Sequence, residues 1–128
     1  MMDFAYTLTT SKSFADTERD VQNAVAAKGF RVLHIHDVQA TFAEKGIQRD
    51  PYKIIEVCNV KYAHRALQAD PLIGLMMPCK INVFVENGAT QVSLLKPSIL
   101  AAFFPHAALD DMAQEIETIL SAVVDAAK

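Results

Sequence analysis

The chain has 128 residues, with 12 Lys and Arg against 15 Asp and Glu, which gives a formal net charge of −3. A length of this order predicts one domain, spanning residues 1–128, that is large enough to bury a sizeable core. The composition of 52% hydrophobic and 21% charged residues excludes a disordered chain, and the acidic balance argues against binding to nucleic acid or to a membrane.

No targeting or membrane-spanning segment is recognisable in the sequence. Asp3 stands where a secretory signal would carry positive charge, and the longest apolar stretch, residues 72–79, is far shorter than the ~20 residues needed to span a bilayer. The two cysteines, Cys58 and Cys79, form no CxxC pair. We therefore predict a cytoplasmic protein with reduced thiols.

The first quarter of the chain predicts a strand, a helix and a second strand. Residues 4–9 alternate apolar and polar side chains, as a half-buried strand does. A helix is expected to begin after Ser13 and to end at Gly29, since these residue types suit the two caps. Residues 30–36 form the second predicted strand.

The middle of the chain predicts two more helices around a third strand. Asp37 is a natural N-cap for a short helix, and the β-branched stretch 52–58 predicts the strand. Asn59 then caps a helix that ends before Pro71, because the residue preceding a proline is disfavoured in helical geometry. Helical spacing predicts that three apolar side chains of this helix face inward: Val60, Ala63 and Leu67.

A β-hairpin is the clearest local pattern in the sequence. Residues 79–86 alternate strictly, Asn87-Gly88 is the favoured two-residue turn, and residues 90–96 form the return strand. This turn sets a register whose core face carries Ile81, Val83, Val92 and Leu94. Extended towards the open end of the hairpin, the same register places Lys96 opposite Cys79.

The C-terminal part predicts a loop or short helix over residues 97–105 and then a long amphipathic helix. The inward stripe of that helix is Leu109, Met112, Ile116, Ile119, Leu120 and Val123. The resulting order is β-α-β-(short α)-β-α-β-β-α. We therefore predict an α+β fold, with a mainly antiparallel five-stranded sheet and helices packed on one face.

The two cysteines are the most specific chemical feature of the sequence. An ammonium at Lys96 beside Cys79, and the helix N-terminus after Cys58, would each favour the reactive thiolate. The simpler alternative is that Cys79 continues the core stripe of its strand, since buried cysteine is common. An antiparallel sheet could bring the two thiols together to form a redox pair, carry sulfur or hold a soft metal, whereas a parallel crossover would separate them.

Other polar residues give weaker indications. His34 and His36 are expected on one strand face together with Phe30 and Val32, and two imidazoles at this spacing can ligate a metal. Such alternation also arises by chance, and we predict neither a metal nor a cofactor. The adjacent apolar pairs Met76-Met77 and Phe103-Phe104 cannot both point inward, which suggests a ligand-binding surface or a homodimer interface.

Several short motifs together resemble one prokaryotic family, the one known as domain of unknown function 302. They include Gly29-Phe30, Asp37-Val38, Cys58-Asn59 at the start of a helix, Pro78-Cys79-Lys80 before a strand, and Gly88 after it. The resemblance implies an α+β domain that dimerises, and it implies no particular activity. Because the thiols fall in the two typical motifs, it favours a shared role for them and disfavours a site built on histidines. Val60 departs from the family pattern, which has proline after Cys-Asn.

We therefore predict a homodimeric small-ligand-binding or accessory protein. Its binding cleft would be formed by Cys58, Asn59, Pro78, Cys79 and Lys96, and its ligand would be small and anionic or thiol-reactive. The alternative is a redox or sulfur-carrier protein that uses Cys58 or Cys79 as the reacting group. A third alternative is a structural domain with inert core thiols, so the sequence leaves open whether the protein is an enzyme.

Overall fold

The computed structural model describes residues 3–128 and contains one five-stranded sheet in which every neighbouring pair is antiparallel. The spatial order is β1-β5-β4-β3-β2. The strands are β1 (Ala5–Thr10), β2 (Arg31–Asp37), β3 (Tyr52–Cys58), β4 (Cys79–Glu86) and β5 (Ala89–Leu95). The α+β prediction with a five-stranded antiparallel sheet is confirmed.

Residues 3–128 also form five α-helices and two short 3-10 turns, of which two helices and one turn follow the last strand. The helices are α1 (Phe14–Ala27), α2 (Val38–Ala43), α3 (Val60–Ala69), α4 (Pro97–Ala102) and α5 (Asp110–Ala126), and the turns are Pro71–Met76 and Pro105–Ala107. The three N-caps expected from the sequence are all present. The side chains of Ser13, Asp37 and Asn59 each accept a hydrogen bond from a backbone N–H in the first turn of their helix.

The hairpin of β4 and β5 forms in the predicted register. Val83 lies opposite Val92, and Ile81 lies opposite Leu94. Asn87 and Gly88 both have positive φ, 53° and 77°, as a two-residue hairpin turn of the I′ type requires. Local turn chemistry therefore determines the register of the two central strands.

The core lies between the sheet and the helices on one of its faces. The fully buried side chains of the sheet are Ile55, Val57, Ile81, Val83, Val92 and Leu94. Facing them are buried side chains of α1 and α5: Val21, Val25, Leu120, Val123 and Val124. The opposite face of the sheet carries half-buried and exposed side chains, among them the stacked rings of Tyr52 and Phe84.

A bulge in β2 places the two strand histidines differently from the prediction. The pairing of β2 with β3 shifts between Val32 and His34, so the alternation of sides is interrupted there. Val32 and Ile35 both pack against the core, whereas His34 and His36 lie on the outer face. The expectation that His34 and His36 share a face with Val32 is therefore wrong, because one extra residue reverses the alternation.

The inward face of α3 also differs from the prediction. Val60 is 76% exposed and Leu67 is 43% exposed, whereas Ala66 is buried and Tyr62 packs against the core. Leu67 contacts the following turn instead, where a Cβ added to Gly74 would lie 3.3 Å from Leu67 Cδ2. The helix therefore turns its Tyr62 and Ala66 side inward, and the two larger aliphatic residues lie outside the core.

Candidate functional site

An apolar cavity of about 90 Å³ lies at the end of the sheet where β3 ends and β4 begins. The sheet contributes Val57, Cys58 and Cys79 to its wall. The remaining wall comes from α3 with its following turn and from α4 and α5, with side chains that include Tyr62, Ala66, Ile73, Met76, Leu100, Ala101, Met112 and Ile116. No charged side chain of residues 3–128 lines this cavity.

Four of the five residues predicted for the cleft line this cavity: Cys58, Asn59, Pro78 and Cys79. They lie at one end of the sheet because β3 and β4 are antiparallel neighbours, with Val57 opposite Cys79. Both cysteines are free thiols. Cys79 packs against the core cluster, which agrees with the alternative that it continues the apolar stripe of β4.

Lys96 does not lie beside Cys79. The ladder between β4 and β5 ends at the pair Ile81–Leu94 and therefore includes neither Cys79 nor Lys96. Lys96 is bonded instead to the residue before β1, since its backbone N–H donates to Phe4 O at 2.8 Å. The Lys96 ammonium forms an ion pair with Asp3, 2.8 Å from its carboxylate. The predicted pairing of Lys96 with Cys79 is therefore wrong, because the ladder between β4 and β5 ends at the pair Ile81–Leu94.

The electrostatic environment of the two thiols favours their neutral forms. Burial raises the pKa of Cys79 from 9.0 to about 11; a charge on Cys58 would add to this rise, and Lys80 offsets only part of it. Burial also raises the pKa of Cys58, although this residue lies at the start of α3. Burial therefore favours the protonated form of both thiols, and the Lys96 ammonium that was expected to activate Cys79 is paired with Asp3 instead.

Two polar bridges connect α3 and its C-cap Asp70 to α5 and to the turn Pro105–Ala107. The Tyr62 hydroxyl donates to Glu115 Oε1 at 3.0 Å, and His106 Nε2 lies 2.7 Å from Asp70 Oδ2. The Asp70 carboxylate also accepts the backbone N–H of Leu72. The hydrogen bond from Leu72 and, to a smaller extent, the one with His106 lower the pKa of the Asp70 carboxyl. Sequence reasoning missed both bridges, because the partners are 53 and 36 positions apart and share no local motif.

The strand histidines lie on the other face of the sheet from the core. The rings of His34 and His36 meet edge to face, with centroids 4.4 Å apart, and His36 Nε2 lies 2.9 Å from Glu56 Oε2. Within residues 3–128 no group of three or more His, Cys, Asp or Glu side chains is arranged to hold a metal ion. None of the described helices is long and apolar enough to cross a membrane.

Comparisons with known proteins agree with the fold and the motifs. The family model described as "Domain of unknown function DUF302" matches residues 6–127. No curated protein matches the chain significantly. Among solved structures, the crystal structure of an uncharacterized conserved DUF302 protein from Bacillus stearothermophilus is similar, with a TM-score of 0.92 and 34% sequence identity over 99% of this chain and 100% of that one. The chain therefore belongs to the DUF302 family.

Proposed function

We propose that the protein binds a small, uncharged apolar molecule in the cavity between β3, β4, α3 and α5. The observation that carries this proposal is the chemistry of the lining, which is formed by aliphatic, aromatic and sulfur-containing side chains around unfilled space. Ligand sites in proteins are concave and mostly apolar, and an apolar cavity excludes water that has no polar partners there. An apolar ligand would supply the contacts that the lining lacks.

The polar groups at the cavity argue for a neutral ligand, in contrast to the anionic ligand expected from the sequence. The Asn59 amide is already engaged, since it accepts the N–H of Lys61 and donates to Gly29 O. Lys96, which would have supplied positive charge, bonds to Asp3 instead. A charged ligand group inside the lining would be desolvated without an ionic partner, at a cost of several kcal/mol.

The size and flexibility of the lining set limits on the ligand. An engineered cavity of about 150 Å³ with aliphatic and aromatic walls is known to accept benzene, so a cavity of about 90 Å³ suits a short branched chain as it stands and a single ring once its side chains move. Three methionines border this cavity: Met76, Met77 and Met112. Because methionine side chains are unbranched and adaptable, they can move to admit somewhat larger shapes.

The redox or sulfur-carrier alternative has less support. Both Cys58 and Cys79 border the cavity, which such a function would need. A reacting cysteine, however, requires a thiolate, and burial raises the pKa of both thiols. The thiols of Cys58 and Cys79 are therefore better suited to be neutral, polarisable parts of a binding wall.

Titration with toluene and with benzoate tests the proposed function. We expect toluene to shift the methionine methyl resonances saturably, and we expect benzoate, which has a similar ring and a charge, to leave them unchanged. Ala113→Leu, which fills the cavity from α5, should weaken toluene binding at least about tenfold, because the larger side chain occupies the space that the ligand would take. Ala26→Leu on the exposed side of α1 is the matched control. Absence of saturation with toluene, or equal binding of benzoate, would refute the proposal.

We also propose that the protein is a homodimer. Residues 39–50 are exposed throughout and include most of α2, a six-residue helix without a buried side chain, although helices of this length are marginal alone in water. Phe42 and Ile47 expose apolar surface there. Analytical ultracentrifugation of the parent protein should give twice the mass of one chain. The control Leu75→Glu should give the same mass, whereas Phe42→Glu should give the mass of one chain. A monomeric parent protein would refute the dimer.

A further inference from the structure

One wall of the cavity consists of α3 and the turn Pro71–Met76, which we together name the cover. The two parts join at Asp70, whose side chain accepts the N–H of Leu72 at the start of the turn. The inner side of the cover presents Ala66 and Ile73 to the cavity. Its outer side is exposed, and Leu75 is 83% exposed. The cover is therefore a thin layer with the cavity beneath it and solvent outside.

The opposite wall, which we name the brace, consists of α4, the turn Pro105–Ala107 and α5. Its parts are held together firmly, since α4 packs along α5 and both the N–H and the hydroxyl of Ser98 donate to Glu117 Oε1, at 3.1 and 2.6 Å. In addition, α5 is packed on the core through Leu120, Val123 and Val124. The cover contributes fewer side chains to the core than α5 does, namely the buried Ala66 and Ile73 and the partly buried Tyr62, so of the two walls it is the one that can move with less disturbance of the core.

Cover and brace are joined by the two polar bridges described above. Among the described residues, these are the side-chain hydrogen bonds that connect them: Tyr62 to Glu115 and His106 to Asp70. Asp70 is the C-cap of α3 and follows Tyr62 by eight positions, which corresponds to about 12 Å along a helix. The bridges thus hold the α3 part of the cover near its two ends, and Ala66 between them faces the cavity.

We infer that the cover is the gate of the cavity and that the Tyr62–Glu115 and Asp70–His106 bridges hold it closed. This inference rests on the proposed function, because it names the route by which the apolar ligand enters. Both bridges are solvent-exposed, and exposed hydrogen bonds and ion pairs contribute little individually. Bonds of this strength can keep a segment closed and still allow frequent local opening.

The thiol of Cys79 provides a test that needs no ligand, because it lies in the cavity beneath the cover. Cys79 is partly buried, so in a Cys58→Ser background the rate of its native-state alkylation by N-ethylmaleimide, relative to the parent rate, reports added access to the cavity. We expect Tyr62→Phe and His106→Phe each to accelerate the alkylation by about fivefold, and the double variant by about twentyfold, as the loss of one or two modest hydrogen bonds implies.

Matched controls remove equivalent bonds far from the cavity. Tyr6→Phe loses the hydrogen bond to Asp125, and His36→Phe loses the contact with Glu56. These controls should leave the alkylation rate within about twofold of the parent rate, which separates gate opening from general destabilisation. If the double variant reacts no faster than the controls, the gate is refuted.

Toluene kinetics then separate the gate from the proposed function. A gate that only limits access should raise the association and dissociation rates of toluene by the same factor in the double variant and leave Kd unchanged. Faster alkylation without any toluene binding would refute the proposed ligand and leave the movement of the cover established. Unchanged toluene rates in a variant that binds toluene would refute the gate.

Discussion

Replacement of Met112 by aspartate is expected to lower the free energy of unfolding by at least about 3 kcal/mol and to abolish binding of toluene. Met112 is buried in α5 and borders the cavity, where no charged side chain of the described chain is available as a partner. A short carboxylate at this position cannot reach solvent past the cover. The protein must therefore either bury an unpaired charge or protonate the carboxyl, and both reduce stability at neutral pH.

Two control variants separate the effect of charge from the effect of substitution. Met112→Leu keeps the volume and the apolar character and should cost less than about 1.5 kcal/mol. Gln114→Asp places the same carboxylate two residues away, on the exposed side of α5, and should change stability by less than about 0.5 kcal/mol. Urea denaturation at pH 7 measures all three. A Met112→Asp variant as stable as Gln114→Asp would show that the cavity is open to water and polar in character.

Stability is expected to fall as the pH rises from about 9 to about 11, in a manner that depends on Cys79. The thiol has its ordinary pKa of 9.0 in the unfolded chain and a pKa of about 11 in the fold. Because the unfolded state releases the proton first, its free energy falls relative to the native state over this interval. This shift in the pKa of Cys79 contributes roughly 2 to 3 kcal/mol to the free energy of unfolding. The contribution is fully present below pH 9 and is lost as the pH rises past 11.

Comparison with Cys79→Ala isolates this contribution from other groups that titrate in the same range. The hydrogen bond to Asp125 raises the pKa of Tyr6, and burial raises the pKa of Tyr62, so both add to the loss of stability at high pH. The difference in unfolding free energy between the parent and Cys79→Ala should shrink above pH 9, whereas Cys58→Ala should keep most of the parent's dependence. A pH-independent difference would show that Cys79 titrates alike in the folded and unfolded chains.

The features of the fold that follow from neighbouring residues were predictable from the sequence. Asn87-Gly88 determines the hairpin register because both residues readily adopt positive φ, and Ser13, Asp37 and Asn59 cap helices through contacts within one turn. The prediction failed where a distant strand intervenes. Lys96 was extrapolated to Cys79 along the ladder between β4 and β5, but that ladder ends at the pair Ile81–Leu94, and Leu95 pairs only with Ala5 of β1.

The candidate site was predictable only in part. The motifs around Cys58 and Cys79 indicate that both thiols belong to one region, and the antiparallel pairing of β3 with β4 brings them to one cavity. Met112 has the same helical spacing as the core residues of α5, so periodicity alone cannot distinguish a cavity wall from a filled core. The bridges of Tyr62 and His106 depend on tertiary packing and leave no trace in local sequence.

A crystal of the protein under xenon pressure tests most directly whether the cavity accepts an uncharged apolar guest. Xenon enters apolar cavities and has no charge or hydrogen-bonding group, so its binding reports the cavity itself. We expect strong xenon density between Tyr62, Cys79 and Met112, and no such density in Ala113→Leu crystals treated alike. Ordered water at this position in place of xenon, or walls that meet and leave no space, would contradict apolar ligand binding by this protein.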